Sequence, residues 1–139
     1  MTYATEQDLI DLFGSVEVLQ LTDRDDDDDP DADYLDQVLA DTDAEMDAYL
    51  RVRYALPLSA IPVRLRAVAC DIARYRLYPL AVPEAVRQRY EDSRLYLKDL
   101  AAGRAELDLA TPPTPSAEAA VPAYSAPDRV FSATTLADY

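Results

Sequence analysis

The chain has 139 residues, with 27 Asp or Glu against 13 Lys or Arg, one cysteine, two glycines and no histidine. The missing histidine and the single cysteine exclude Cys/His zinc sites, imidazole general bases and disulfide scaffolds, and two glycines are too few for a phosphate-binding loop. We therefore expect a protein that is not an enzyme and that holds no metal or cofactor, with one modest core.

The first predicted element is a short helix that begins after Thr5. Thr5 and Asp8 form a variant of the capping box, and residues 9–13 supply an apolar side. Gly14 then ends the helix as its C-terminal cap. Residues 16–21, which include two valines and two leucines, are predicted to be strand-like.

Residues 23–33 hold eight Asp among eleven residues and are predicted to form a loop, because such a charge run cannot pack. A calcium loop would alternate its ligands, turn at a central glycine and close with a glutamate, and the run lacks this pattern. Its expected role is electrostatic, since a ring of such loops would repel DNA from a channel wall. The residues predicted to face that channel are Asp25, Asp26, Asp27, Asp28 and Asp29.

Three longer helices follow, each with apolar residues at three- and four-residue intervals. They are predicted over residues 33–54, 63–78 and 83–103, with prolines and a glycine marking their ends. The linkers between them are only a few residues long, which favours antiparallel neighbours.

The sequence thus predicts an all-α fold in which residues 1–104 form a four-helix domain. This domain includes the short N-terminal helix and the acidic loop. Cys70 lies on an apolar stripe, where a reduced thiol behaves as a small buried hydrophobe. The predicted core contains Leu35, Leu39, Tyr49, Leu65, Val68, Ile72, Tyr90 and Leu97.

Residues 105–139 are predicted to be an extended tail that is ordered only on a partner. They contain five prolines and cannot build a core of their own. The tail nevertheless ends in apolar and aromatic residues that read as anchors, although a frayed terminus with incidental aromatics is the alternative. The predicted docking residues on that partner are Val130, Phe131, Leu136 and Tyr139, with Arg129 adding a contact to a carboxylate or carbonyl.

Charge is divided unevenly along the chain. Residues 1–50 hold 17 acids and one base, whereas residues 51–104 hold 11 bases and five acids. Copies with an acidic and a basic half can attract one another head to tail, a heterologous contact that closes into rings. Two solvated faces would give the same pattern.

The basic residues of the last helix suggest contacts with protein carboxylates, which suit the arginine fork. Binding to nucleic acid is less favoured, because acids interleave with these bases and the net charge is −14. The residues predicted at the inter-subunit surface are Arg87, Arg94 and Lys98 on one side and Asp36, Asp43 and Asp47 on the other.

Four segments carry a family resemblance, in this order: YATEQDLIDLFG (3–14), AYLRVRYALPL (48–58), CDIARYRLY (70–78) and DRVFS (128–132). Together they resemble the Mu-like phage and prophage head-tail adaptor family, also called head-completion proteins. The resemblance implies a small helical protein of the virion neck, between capsid and tail. It implies a dodecameric ring beneath the portal protein that receives tail-completion or stopper proteins, while DNA passes through without specific binding.

Two other classes compete with this interpretation. An acidic DNA-mimic inhibitor would bind a basic nucleic-acid enzyme, but it has no evident need for the basic middle third of the chain. An enzyme with a carboxylate pair would need two acids in an apolar pocket, whereas the acids here lie in a loop and on an amphipathic helix. No apolar run approaches the roughly 18 residues of a membrane span, so we expect a soluble protein made in the host cytoplasm, with no membrane partner.

Overall fold

The computed structural model describes residues 1–109 of the chain, and these residues form five helices and no strand. The all-α class predicted from the sequence is therefore confirmed for this part of the chain. The central helices pack against one another, and the first two helices lie against them. The helices are α1 (Glu6–Phe13), α2 (Ser15–Thr22), α3 (Ala32–Leu50), α4 (Val63–Leu77) and α5 (Glu84–Ala102).

Helix α2 replaces the strand-like stretch that the sequence predicts, so the unit has five helices and not four. Gly14, at φ 92°, joins it directly to α1. Val18 and Thr22, one helical turn apart, are both buried, and the Thr22 hydroxyl donates to the Val18 carbonyl at 2.7 Å. Burial of one helical face outweighs the strand propensity of valine, since propensity is a weak local preference.

The boundaries of the other helices follow the capping signals in the sequence. The capping box between Thr5 and Asp8 is present at the start of α1. Helices α4 and α5 begin directly after Pro62 and Pro83. Helix α3 ends at Leu50, four residues earlier than predicted. The chain continues there in a tighter turn, in which the N–H of Arg53 donates to the Leu50 carbonyl.

The core lies between α3, α4 and α5, with α4 most deeply enclosed. Of the eight predicted core residues, five are buried, and the other three are half-buried at its edge. Cys70 is buried as predicted, and burial raises the pKa of its thiol to about 12. The half-buried three are Leu39, Tyr49 and Tyr90, and the core also takes in Tyr3, Met46, Leu50, Leu77 and Leu100.

Candidate docking surfaces

The connection between α2 and α3, residues 23–31, carries the acidic run and is called the acidic connection below. The Asp23 carboxylate accepts three backbone N–H groups of the run at 3.1–3.3 Å. Asp26 and Asp28 have positive φ values of 58° and 63°, which Asp tolerates better than most residues. The carboxylate of Asp31 caps α3. These turns explain how a run of like charges forms a specific loop.

The five Asp predicted to face a channel, residues 25–29, are all exposed. Within residues 1–109 none of them lies within ion-pair distance of a cation. The nearby Arg24 is placed over the Tyr34 ring instead, at 4.4 Å from its centroid. The described residues contain no group of three or more acidic or sulfur ligands arranged for a metal ion. The acidic connection, with seven Asp against one Arg, is therefore a source of net negative potential. Its orientation toward a channel stays a prediction.

Two of the three cations predicted at the inter-subunit surface are engaged inside the chain. Arg87 pairs with two glutamates of its own helix at 2.5 Å each. The Nε atom of Arg94 lies 3.6 Å from Oε1 of Glu45 on α3. Lys98 is exposed and has no ion pair within residues 1–109. The outer face of α5 therefore offers a neighbour less positive charge than the sequence suggests.

Two of the three acids predicted at that surface hold the N-terminal segment in place. The Tyr3 hydroxyl donates to Oδ1 of Asp47 at 2.5 Å, and its backbone N–H donates to Oδ1 of Asp43 at 2.9 Å. Burial raises the pKa of Asp43, and the hydrogen bond from Tyr3 opposes that rise. Asp36 is exposed and makes no such contact with the described residues. Among these three acids, Asp36 is thus the one whose carboxylate has no hydrogen bond or ion pair within residues 1–109 and is free to contact another subunit.

Sequence reasoning missed Glu45, a carboxylate that joins three helices. Its Oε2 accepts a hydrogen bond from Nη2 of Arg76 on α4 at 2.6 Å. Its Oε1 accepts from the hydroxyl of Tyr90 on α5 at 3.4 Å, beside Arg94. The Glu45 side chain is 14% exposed. Its position beside the apolar stripe of α3 could have indicated a partly buried glutamate. Its partners could not be predicted, because they lie 31 or more residues away in the chain.

A second missed carboxylate, Glu17, fastens α2 to α4. Arg74 donates to its Oε1 from Nε and Nη2, at 2.8 and 2.6 Å, and the Tyr78 hydroxyl donates to the same oxygen at 3.1 Å. The Arg74 guanidinium also lies 4.4 Å from the centroid of the Phe13 ring on α1. One arginine of α4 therefore holds both N-terminal helices.

A third missed carboxylate, Asp71, connects α4 with α5. Its Oδ2 accepts from the Ser93 hydroxyl at 3.3 Å, and its Oδ1 lies 3.0 Å from Nε of Arg89. Burial raises the pKa of Asp71, and the positive charge of Arg89 opposes the rise.

Part of the charge asymmetry in the sequence is used for ion pairs within the subunit. Arg66, Arg74, Arg76 and Arg94 from the basic segment all lie 2.6–3.9 Å from acids of residues 1–50.

The predicted docking residues of the tail, Arg129, Val130, Phe131, Leu136 and Tyr139, lie outside the described residues. Inside them, Leu107 and Leu109 pack against the core, and the Leu107 N–H donates to the Tyr54 hydroxyl at 3.2 Å. The first compact unit extends through Leu109. None of the helices in this unit combines the length and the apolar character required to cross a membrane.

Comparison with known proteins connects the chain to phage Mu. The family model described as Bacteriophage Mu, Gp36 matches residues 3–124. Gene product J of Escherichia phage Mu is 31% identical over 135 residues, which cover 95% of this chain and 95% of that protein. The Mu-like prophage FluMu protein gp36 of Haemophilus influenzae is 38% identical over 85 residues. That alignment covers 58% of this chain and 60% of the relative.

Proposed function

This chain belongs to the Bacteriophage Mu, Gp36 family, and from that premise we propose that it is a head-tail adaptor that forms a ring under the portal of a tailed phage. The membership indicates a structural or morphogenesis protein of a Mu-like phage, with a virion or phage-associated location. The observation that carries the adaptor proposal is the family match itself, which includes all five helices and continues to residue 124.

The distribution of charge in the folded unit supports a role in assembly. Acids and arginines inside the unit neutralise one another across helices, as Glu45 and Arg76 do. The acidic connection keeps its exposed carboxylates without cations from residues 1–109. Uncompensated charge on a small helical unit is suited to steering and orienting a partner of opposite charge.

The partners in this proposal are neighbouring copies of the chain, the portal protein and a tail-completion or stopper protein. DNA would pass through the ring without specific binding, because the net charge of −14 on each copy opposes the approach of phosphates. The neck of the virion, between capsid and tail, is the corresponding location.

Genetics of the phage provides a direct test. A nonsense mutation in the gene for this protein should give DNA-filled heads and complete tails that do not join, and a plasmid copy should restore joining. Cryo-electron microscopy of rescued virions should place the protein next to the portal. Normal virions from the mutant would rule out the adaptor role, as would a position in the tail tube or baseplate.

A further inference from the structure

Three exposed arginines at one end of the unit form no ion pair within residues 1–109, although Arg64 is close enough to oppose the rise in the pKa of Asp71. Arg51 is the C-terminal cap of α3, Arg53 lies in the turn that follows, and Arg64 is in the first turn of α4. None of the three forms an ion pair with the described residues, and Arg51 instead donates to a backbone carbonyl of α3 at 3.1 Å. We call these three residues the cationic end.

The cationic end is held together by the last turns of α5. The Nη1 atom of Arg53 lies 2.9 Å from the position that a Cβ on Gly103 would occupy. The Cζ atom of Arg64 lies 4.9 Å from the centroid of the Tyr96 ring. Tyr96 and Gly103 are seven residues apart on one helix, or about 10 Å at 1.5 Å per residue. The two arginines therefore belong to one surface.

Two exposed valines are neighbours of these arginines in the chain, and one of them, Val63, also lines a groove with Leu12 of α1. Val52 is 65% exposed and Val63 is 80% exposed, next to Arg51, Arg53 and Arg64 in the chain. A surface that presents arginine together with unburied aliphatic groups has the composition of a protein contact.

Most of the other arginines in residues 1–109 are already paired, and Arg24, which is not, lies over the Tyr34 ring. Seven other arginines, those at positions 66, 74, 76, 87, 89, 94 and 104, each lie 2.5–3.9 Å from a carboxylate of the same chain. The acidic connection cannot neutralise the cationic end internally, because the two lie at opposite ends of α3. That helix has 19 residues, about 28 Å in length, against a screening length of about 10 Å at moderate salt.

We propose that the cationic end of one copy binds the acidic connection of the next copy in the ring. The inference rests on the proposed ring and names the two surfaces that build it. Each copy binds one neighbour through its cationic end and the other neighbour through its acidic connection. This is the heterologous contact required for a closed ring. Arginine binds carboxylates through two parallel hydrogen bonds. Asp25, Asp27 and Asp29 are exposed and form no ion pair within the described residues, although Arg24 lines the same concavity. The acidic connection then lies at the subunit boundary and not on the channel wall.

Charge reversal tests this contact. Arg53→Glu and Arg64→Glu should each lower the association constant between copies by roughly tenfold or more, measured by light scattering and native mass spectrometry of the purified full chain. The comparison variant is Arg87→Glu, an equal change in charge at an exposed arginine near the start of α5. It should associate as the unchanged chain does. An equal loss in Arg87→Glu would assign the contact to the outer face of α5 and overturn the proposal.

Compensation separates a direct contact from general repulsion. A chain with Arg53→Glu and Arg64→Glu is mixed with a second chain carrying Asp25→Lys and Asp27→Lys. Neither chain should assemble alone, but the mixture should form rings in which the two alternate. Failure of the mixture to assemble would overturn the proposal, as would unimpaired assembly of either chain alone.

Three further results distinguish this inference from the function on which it rests. If the unchanged chain forms rings with portal and the Arg53 and Arg64 variants do so equally well, this contact is wrong while the adaptor function stands. If the variants form normal rings but lose binding to double-stranded DNA that the unchanged chain has, the cationic end binds phosphates. If the unchanged chain does not bind the portal at all, the adaptor function itself is wrong, and the proposed ring contact is wrong with it.

Discussion

Arg76 on α4 and Glu45 on α3 form an ion pair with Nη2 and Oε2 only 2.6 Å apart. The pair joins the basic middle of the sequence to its acidic first half inside one subunit. Arg94 and Tyr90 from α5 approach the other oxygen of the same carboxylate. Glu45 is therefore the point at which the three central helices are held together by charge, beside the apolar core.

Replacement of Glu45 by Gln should destabilise the unit by about 1–3 kcal/mol, because it leaves Arg76 without its anionic partner in a half-buried site. The free energy of unfolding would be measured by urea denaturation followed by circular dichroism. Glu84→Gln is the matched control, since the Glu84 side chain is 73% exposed and an exposed pair contributes about 0–1 kcal/mol. Equal effects of the two changes would contradict the structural role of Glu45.

Local patterns in the sequence predict most of the helical frame. The capping box at Thr5, the glycine after α1 and the prolines before α4 and α5 are each read from a few neighbouring residues, and the structure confirms them. Helix α2 was missed because its valines favour strands locally while its burial against other helices is not visible in the local pattern.

Local patterns do not predict the polar and ionic contacts between helices. Tyr3 and Asp47 are 44 residues apart, and Arg74 and Glu17 are 57 residues apart. Pairings at these separations depend on how the helices pack, which the spacing of charges along one helix does not specify. The sequence therefore indicated charge complementarity but not the contacts that Arg94 and Asp47 make within the unit, and the placement of these two residues at a subunit surface stays a prediction.

Tyr3→Phe should cost about 1–2 kcal/mol of unfolding free energy, because the change removes the hydrogen bond to the half-buried Asp47 carboxylate. The phenyl ring still fills the buried site, so the loss reports on the hydroxyl. Tyr75→Phe is the control, since the Tyr75 hydroxyl makes no hydrogen bond with residues 1–109 and its ring stacks on Tyr90. If thermal melting gives the same Tm for Tyr3→Phe and the unchanged chain, the N-terminal segment is not anchored in this way.

Stability should fall at alkaline pH. Burial raises the pKa of Cys70 from 9.0 to about 12, and burial and Asp47 raise the pKa of Tyr3 above its ordinary value of 10.0. A raised pKa in the folded state means that the unfolded chain loses its proton first, so the stabilising effect is complete below the unfolded pKa and is lost as pH rises. The free energy of unfolding should therefore decline from about pH 9 upward.

The contribution of the thiol can be isolated with Cys70→Ala. This change leaves a small cavity in the core and lowers stability at every pH, but it also removes one titrating group. The slope of unfolding free energy between about pH 9 and pH 12 should then be shallower than in the unchanged chain. Identical slopes in the two proteins would show that the thiol does not titrate differently on unfolding.

Residues 128–139 lie outside the described residues, so what is expected of them rests on the sequence. Residues 128–139 include Val130, Phe131, Leu136 and Tyr139, an apolar and aromatic set unusual for a Pro-rich and Ala-rich segment. Ordering such a segment costs conformational entropy, so its anchors must bury enough area on a partner to offset that cost. We expect the portal or an adjacent subunit to provide the surface.

Deletion of residues 128–139 should therefore leave the folding of the helical unit unchanged and reduce retention of the protein on DNA-filled heads. Retention would be measured by quantitative mass spectrometry of purified heads, and circular dichroism would check that the helices form. The paired variants Phe131→Ala and Thr134→Ala separate the proposed anchor from a polar position three residues away in the same segment. Loss in the first and not the second would support docking through the apolar set. Normal retention and infectivity of the deletion would show that these residues are dispensable, and the aromatic groups would then be incidental features of a chain terminus.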